Sequence, residues 1–496
     1  MIRVRFIGLQ RMSLALPLVL AGCTVGPAYV RPAVETPQGY KTEPGWQQAT
    51  PADHIDRGKW WQLFRDETLN RLAERALTAN QTIAEAEATW RQARYVTREQ
   101  RASLFPTVDL SGTTQRSGGG RGQSSGVTTG SGSVVSSSGS TSYQLSIGAS
   151  WEPDLFGRIR QTISSNAATA EARRADLASA QLSVIGELAT NYLNLRGADA
   201  GIALVEQTVS GYERALRIAQ NRYDAGIIAR TDVFQAESQL ASTKSELEGL
   251  RRDRRTYENA IAVLVGAPAS SFTLPAAQWS AYVPQVPVGV PSQILQRRPD
   301  IASAERAVAS ANATIGVEKA AFFPTLSLSA DGGAQSSTLG DLLRSSSSLW
   351  SLGASLAETI FDAGARTARV RQARAAYDAA VASYRNTALV AFQDVEDQLT
   401  AAQILARQET LLRTASTAAD RSEAAMLNQY QEGLVVFTDV VTTQATALSA
   451  RRSLLQASVD RQTAAVALVQ ALGGAWDGEG YPLLPTSGAQ AENPAP

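Results

Sequence analysis

Two long stretches of this sequence contain nothing that strongly breaks a helix. They cover residues 157–224 and about 364–432, and proline is absent throughout 154–267 and 325–481. Proline is the residue that most strongly interrupts a helix, so its absence favours continuous helices. At about 1.5 Å per residue, each stretch predicts a helix roughly 100 Å long. No compact domain of this size accommodates such a length, so the chain is predicted to extend beyond one globule.

The first stretch also carries a narrow apolar seam. Its members are spaced alternately by three and four residues: Ile202, Val205, Val209, Tyr212 and Leu216. An average spacing of 3.5 residues is typical of coiled-coil packing against neighbouring helices. Aromatic residues make up only 6% of the chain, which favours long, thinly packed helices over one thick core.

Each long helix is predicted to end in a turn that leads into a second helix. Gly226 and Gly433 lie where a glycine after a helix adopts a left-handed conformation. The next helices are predicted to begin near 231–232 and 438–439, where Thr and Asp side chains can cap backbone donors. The sequence therefore predicts two helical hairpins, with tips at about 226 and 433.

The two halves of the chain are copies of one unit. Residues 82–108 match 300–326 without a gap, and Phe105 aligns with Phe323. The segments 155–156 and 360–361 match, as do 223–233 and 430–440. Each copy covers about 200 residues, which is too long for a solenoid repeat and indicates a duplicated domain. Seven prolines fall within 268–324, so 268–299 is predicted to be an irregular connector between the copies.

Apolar and polar residues alternate ahead of each long helix. Residues 143–151 and 350–356 show this period of two, and shorter runs at 107–110 and 326–329 repeat it. The predicted strands cover about 105–116, 142–152, 323–331 and 349–360. Such strands fit a half-buried soluble sheet or membrane strands with a wet interior face. Loops 116–142 and 331–348, rich in small polar residues, favour the membrane interpretation, with long loops outside the cell.

Four strands per chain are too few to close a membrane barrel. An open edge in lipid leaves backbone groups without hydrogen bonds, and the smallest single-chain barrels use eight strands. Oligomerisation is therefore predicted. Three copies would supply twelve strands, but the strand count alone does not distinguish three copies from two.

The N-terminus has the character of a secretion signal. Arg3, Arg5 and Arg11 precede an apolar run at 14–20, and small residues lead to Cys23. This pattern predicts a signal peptide over 1–22. The segment 20–23 resembles a bacterial lipobox, which implies cleavage before Cys23 and its acylation. Several acyl chains would anchor the protein firmly to a membrane.

The residue inventory excludes several classes of function. The 46 Lys and Arg residues balance 46 Asp and Glu residues, so no nucleic-acid partner is indicated. One Cys and one His exclude disulfides, His/Cys zinc clusters and Cys–His nucleophiles. His54 lies in a polar stretch and is predicted to be an exposed loop residue. The chain is therefore predicted not to be an enzyme and to need no metal or cofactor.

Together these features resemble the TolC-like outer-membrane factors, in the lipoprotein OprM/NodT-type branch that serves resistance–nodulation–division (RND) pumps. The resemblance covers nearly the whole chain after Cys23. It rests on the lipobox, the Phe-Pro-Thr strand starts and three further segments: 151–157, 297–301 and 471–476. A periplasmic adaptor and a structural coiled-coil lipoprotein are the alternatives. An adaptor normally has one hairpin and no duplicated unit, and a coiled-coil lipoprotein would not need alternating strands.

The resemblance implies an α+β fold in a homotrimer. A twelve-stranded barrel would lie in the outer membrane, above a long α-helical barrel and a mixed equatorial domain. The implied order is a signal peptide, a lipidated extension, a first repeat, an equatorial connector, a second repeat and a tail, at 1–22, 23–62, 63–267, 268–299, 300–476 and 477–496. The implied function is a passive exit duct for small molecules such as drugs, in a tripartite pump with a periplasmic adaptor and an inner-membrane RND pump.

The resemblance also implies roles for residues at the hairpin tips. Asp439 and its repeat mate Asp232 match carboxylates that ring the periplasmic constriction, and Tyr430 matches a position that can link to the Asp232 site. Gly226 and Gly433 match the tips that contact the adaptor. This sequence departs from the family pattern with Val435 and Thr442, where some members carry charged residues. The constriction is therefore expected to be more apolar, with 434–437 contributing Leu, Val, Val and Phe.

Overall fold

A computed structural model describes residues 25–37, 39–41, 57–117, 140–284, 286 and 298–474. The α-helices of the described residues are α1 (Glu67–Ala79), α2 (Gln81–Ala102), α3 (Arg158–Asp224), α4 (Arg230–Leu264), α5 (Pro299–Ala320), α6 (Ala365–Gln431) and α7 (Phe437–Ala471). The strands are β1 (Thr107–Ser117), β2 (Ser140–Trp151), β3 (Thr325–Ser336) and β4 (Ser348–Ala357). Short 3₁₀ helices cover Arg57–Phe64, Ala269–Ser271, Leu339–Asp341 and Ser345–Ser347.

The chain divides into two units. The first, called the sheet unit, comprises the described parts of Met1–Pro32, Arg91–Glu171 and Arg306–Ala382. The second, called the helical unit, comprises those of Ala33–Trp90, Ala172–Glu305 and Ser383–Pro496. Among the helices that the structure describes, none is both long and apolar enough to cross a bilayer.

The internal duplication is visible in the helices, because matching helices of the two repeats have the same length. Helices α2 and α5 both have 22 residues, α3 and α6 both have 67, and α4 and α7 both have 35. The two long helices begin and end within one residue of the predicted limits. At about 1.5 Å per residue, a helix of this length spans roughly 100 Å, so the predicted rod-like helices are confirmed.

The predicted seam is also confirmed. Val205 of α3 is fully buried against Leu247 of α4 and Leu448 of α7, with Ile202 and Val209 packed beside them. Three helices therefore meet along one narrow stripe, as the 3.5-residue spacing requires.

The four strands form one antiparallel sheet in the order β1-β2-β3-β4. Paired residues lie on the same side of an antiparallel sheet, and the register places every large apolar residue of the four alternating patterns, except Leu349, on one face. That apolar face holds Val108, Leu110, Tyr143, Leu145, Ile147, Trp151, Leu326, Leu328, Trp350, Leu352 and Leu356. The opposite face is dominated by Ser, Thr, Gln, Asp and Gly, for example Ser111 opposite Ser146.

The strand limits differ from the expected ones on the second hairpin. Strand β3 continues to Ser336, into the region expected to be a loop, and β4 ends at Ala357 rather than near 360. The extension contains Gly332 and Gly333, which weaken the strand signal in the sequence. Both glycines nevertheless pair on either side, with β2 and with β4.

The core of the helical unit includes residues that the sequence-based boundaries assign to the N-terminal extension. Trp60 and Trp61 are buried with Leu69 and Tyr192. The hydroxyl of Tyr192 donates to Asp66 Oδ2 at 2.6 Å, and the same carboxylate caps α1. Burial and this hydrogen bond raise the pKa of Tyr192 to about 12.

Two arginines attach the irregular connector to the helices. Asp199 of α3 accepts from Arg196 at 3.0 Å and from Arg254 at 2.6 Å. Arg254 also donates to the carbonyl of Leu274, and Arg196 donates to that of Pro275. Over its described residues 272–284 the connector forms no helix or strand, so side-chain donors satisfy the carbonyl groups of Leu274 and Pro275.

A buried carboxylate connects the two helices of the second hairpin. Glu409 of α6 accepts from Arg413 at 2.6 Å and from Ser458 of α7 at 3.1 Å, and it forms an ion pair with Arg461 of α7. Burial by itself would raise the pKa of Glu409, but the positive charge of Arg461 and the hydrogen bonds from Arg461, Ser458 and Arg413 together outweigh it. The net pKa of Glu409 lies below its ordinary value.

We expect Glu409→Gln to lower the free energy of unfolding by about 2 kcal/mol at neutral pH, because hydrogen bonds to a charged group are lost. A pKa lowered by folding stabilises the protein above the unfolded-state value and loses that effect as pH falls. The difference between wild type and variant should therefore shrink below about pH 4.3. Thermal unfolding followed by circular dichroism, at neutral pH and below about pH 4.3, measures this difference in stability.

The matched control is Glu213→Gln, which removes an exposed ion pair with Lys244. This control should leave the unfolding midpoint unchanged, since exposed pairs contribute little. Equal destabilisation by Glu409→Gln at both pH values would contradict the charge-based account.

Candidate functional site

The tips of the two helical hairpins are built by the same backbone motif. Gly226 follows α3 with φ = 73° and Gly433 follows α6 with φ = 79°. The amide of Gly226 donates to the carbonyl of Tyr223, and that of Ile227 donates to Arg222. The same pair of bonds recurs at the second tip. These are Schellman motifs, and the predicted left-handed glycines are confirmed.

The prediction that Thr and Asp side chains cap the following helices is wrong. The N-cap residues are Ala229 and Val436, and neither has a side-chain capping bond. Asp232 and Asp439 are instead the third residues of α4 and α7, where their own amides bond to the cap carbonyls. A carboxylate in the first turn is favoured by the helix dipole. Asp439 is exposed and Asp232 is half-buried.

Tyr430 is held by contacts from both hairpins. The guanidinium carbon of Arg222 in α3 lies 4.6 Å from its ring centroid. The ring of Phe437 in α7 lies at 5.5 Å with an interplanar angle of 56°. Tyr430 and Phe437 belong to a buried apolar cluster with Ala219, Val233, Ala236 and Val440. A cation over an aromatic face is attractive, so this cluster ties α3 and α4 to α6 and α7.

The Tyr430 hydroxyl is buried and has no hydrogen-bond partner in the described part of the chain. No link from Tyr430 to Asp232 therefore exists within one copy. Besides the contact of Arg222 with Tyr430, a hydrogen bond joins the two hairpins directly: Thr438 Oγ1 donates to Gln235 Oε1 at 3.1 Å. Sequence reasoning missed Gln235 and Arg222, since neither lies in a matched motif.

The expected apolar constriction needs one correction. Phe437 is only 3% exposed, because it packs under Tyr430. The exposed apolar residues close to the tip glycines include Ile227, Leu434 and Val436. Clustered exposed apolar side chains are typical of surfaces that meet another molecule.

Two sequence-based candidates, Cys23 and His54, lie outside the described residues. Within 25–37, 39–41, 57–117, 140–284, 286 and 298–474, no group of three or more His, Cys, Asp and Glu side chains is arranged to hold a metal ion.

A family model described as outer membrane efflux protein matches residues 72–267 and 290–474, which is most of the chain. The chain belongs to the outer membrane efflux protein family. It is 30% identical over 486 residues to the outer membrane protein OprJ of Pseudomonas aeruginosa, covering 97% of this chain and 98% of OprJ. It is 32% identical over 476 residues to the toluene efflux pump outer membrane protein TtgI of Pseudomonas putida, covering 92% of this chain and 97% of TtgI.

The fold agrees with the same family. The solved structure of the outer-membrane channel OprN matches with a TM-score of 0.81 and 31% identity, over 92% of this chain and 100% of that one. The predicted resemblance, the α+β class and the outer-membrane location are confirmed. Members of the family are channel proteins, and an outer-membrane efflux protein is neither an adaptor nor a purely structural coiled coil.

We expect Gly433→Ala to loosen the second tip. No atom lies within 4 Å of a Cβ at this position, so only the left-handed backbone opposes the substitution, at a cost of about 1 kcal/mol. Amide hydrogen exchange at 430–436, measured by mass spectrometry, should become roughly five-fold faster. Gly433→Asn should recover part of the loss, because Asn tolerates this conformation.

Gly249→Ala is the matched control for this prediction. Gly249 lies inside α4, also with open space around it and without a positive φ. Alanine at this position should stabilise the helix. Unchanged tip exchange in Gly433→Ala would show that the left-handed turn is not required.

Proposed function

We propose that three copies of this chain form a passive duct through the outer membrane. The duct is the exit of a tripartite efflux pump for small molecules such as drugs. The single observation that carries this proposal is the four-stranded sheet, which has one apolar face, one polar face and two edges that are unpaired within the described residues.

The two faces of the sheet fit lipid on one side and water on the other. The apolar face exposes Val108, Leu110, Ile147, Trp350, Leu352 and Leu356 in the single chain. Unpaired backbone groups in hydrocarbon cost several kcal/mol each. Joining β4 of one copy to β1 of the next removes every edge once the ring closes, and three copies give the twelve strands expected from the family.

The helices of a single copy also leave apolar surface uncovered. Ile218, Val263, Leu389, Ile404 and Leu411 are exposed, although they lie on long helices with buried stripes elsewhere. Neighbouring copies would bury them and complete a helical barrel around a water-filled bore.

The partners follow from the hairpin tips and from the relatives. Exposed Ile227 and Leu434 beside Gly226 and Gly433 form a surface for a periplasmic adaptor, which in turn joins an inner-membrane RND pump. The relatives are described as parts of toluene and solvent efflux pumps, an antibiotic efflux pump and a cation efflux system. The substrate is therefore selected elsewhere in the assembly, and the duct itself carries out no catalysis and needs no cofactor.

The gate is proposed to lie at the hairpin tips. Asp232 and Asp439 from three copies would ring the bore, near the positive ends of α4 and α7. The Tyr430 cluster would hold the two hairpins of each copy together. Acylation of Cys23 would add an anchor in the outer membrane.

Residues 351 and 352 test the membrane sheet, because they are neighbours on opposite faces. Arginine on a lipid-facing strand costs about 2–4 kcal/mol near the bilayer centre. We expect Leu352→Arg to reduce the amount of heat-resistant oligomer in outer-membrane fractions several-fold. Ser351→Arg should leave that amount unchanged, because its side chain would face water. Equal effects of the two variants would refute the assignment of the faces.

Planar-bilayer recordings test the duct and its gate. The wild type should form channels of low conductance, and Asp232→Ala with Asp439→Ala should raise the single-channel conductance by relieving the ring of charge. Asp253→Ala with Asp460→Ala, on the same helices far from the tips, is the control and should behave like wild type. Unchanged conductance in the tip variant would contradict the gate assignment.

A further inference from the structure

A stacked pair of phenylalanines joins the two repeats beneath the middle of the sheet. Phe156 follows the end of β2, and Phe323 precedes the start of β3. Their ring centroids lie 4.8 Å apart, with an interplanar angle of 21°. The pair therefore sits where strands β2 and β3, one from each repeat, give way to helices.

The duplication supplies a second such pair. The repeat mate of Phe156 is Phe361, which follows β4, and the mate of Phe323 is Phe105, which precedes β1. These two rings are not stacked within one chain. Phe361 is 86% exposed and its neighbour Ile360 is 94% exposed, while Phe105 is 69% exposed.

The exposed rings belong to the two edges of the sheet. Strands β1 and β4 are the outer members of the order β1-β2-β3-β4. All three strand pairs are antiparallel, so β4 of one copy and β1 of another continue the alternation when they pair. The seam between copies would then join the end of a second repeat to the start of a first repeat. It would have the same order of strand, turn and helix as the seam between β2 and β3.

We propose that Phe361 of one copy stacks on Phe105 of the neighbouring copy. The stack reproduces between chains the contact that Phe156 makes with Phe323 within a chain. This inference rests on the proposed closed ring and names a contact that holds its seam.

The stack explains why the rings of Phe105 and Phe361 are exposed in a single copy. The turn after β4 has one residue more than the turn after β2. Phe156 directly precedes Gly157, whereas Asp362 and Ala363 separate Phe361 from Gly364. Gly157 and Gly364 nevertheless have similar positive φ angles, 84° and 89°, directly before α3 and α6. The two turns thus share the left-handed glycine before the helix, although Ala363 before Gly364 also has a positive φ, of 52°. Only the second ring lacks an aromatic neighbour in its own chain.

Cysteine pairs test the contact directly in the full-length, membrane-extracted protein. Phe105→Cys with Phe361→Cys, oxidised with copper phenanthroline, should give covalent dimers and trimers on a denaturing gel without reductant. Each single variant should remain monomeric on that gel. Phe156→Cys with Phe323→Cys is the calibrator, because it should form a disulfide inside one chain and give no covalent oligomer.

Substitutions by leucine provide a second measurement that does not depend on disulfide geometry. Phe105→Leu and Phe361→Leu should each lower the temperature at which the oligomer dissociates. The double variant should lower it no further than either single variant, because the second change removes a ring whose partner is already gone. Additive effects of the two changes would overturn the stack.

The outcomes separate this contact from the proposed function. A trimer by mass photometry, with a calibrator that oxidises but no covalent oligomer from the 105/361 pair, refutes the stack and leaves the duct standing. A monomer by mass photometry refutes the closed ring and the stack together.

Discussion

Backbone hydrogen bonding at the edges of the sheet is the constraint on which the rest of this structure depends. In the part of the chain that the structure describes, strands β1 and β4 each pair on one side only. Inside hydrocarbon an unpaired amide or carbonyl has no water to bond. One chain cannot satisfy these groups, because its four strands are too few to close on themselves. The apolar and polar faces then decide how copies join, since a register shift by one residue would exchange lipid-facing and water-facing side chains.

The helical hairpins are stabilised in a different way from the sheet. Helices of 67 residues bury too little surface within one chain to be held by a single core. They are held by narrow stripes such as that of Val205, and by charged groups placed between helices. Asp199 and Glu409 each accept from two arginines. A buried carboxylate needs such partners, so these clusters also fix how the helices and the connector are aligned.

Both repeats are needed to build the sheet, and both are needed to build the cluster at the hairpin tips. Strands of the two repeats pair at β2 and β3, and Tyr430 of the second repeat packs against Arg222 of the first. The repeats have also diverged. Tyr223 is exposed at the first tip, whereas its mate Tyr430 is buried at the second. The two hairpins therefore have equal lengths but different surfaces.

Much of this architecture could be predicted because it depends on local chemistry. Proline and glycine positions located the ends of α3 and α6, and the alternation at 143–151 identified the faces of β2. The capping prediction at 231–232 and 438–439 was wrong, because the residue that becomes the N-cap depends on where the chain leaves the left-handed turn. Phe437 was expected to contribute to the constriction, but it is buried because the ring of Tyr430 on α6 covers it.

The sequence by itself determined the repeat, the lengths of the helices, the period of the strands and the left-handed glycines, because each follows from covalent geometry and residue spacing. Only the tertiary structure decided which side chains meet across helices: Arg222 with Tyr430, Thr438 with Gln235, and Arg254 with Asp199. These partners are separated by tens to hundreds of residues. Their contact depends on how the helices pack and are aligned along one another, and no local pattern specifies that alignment.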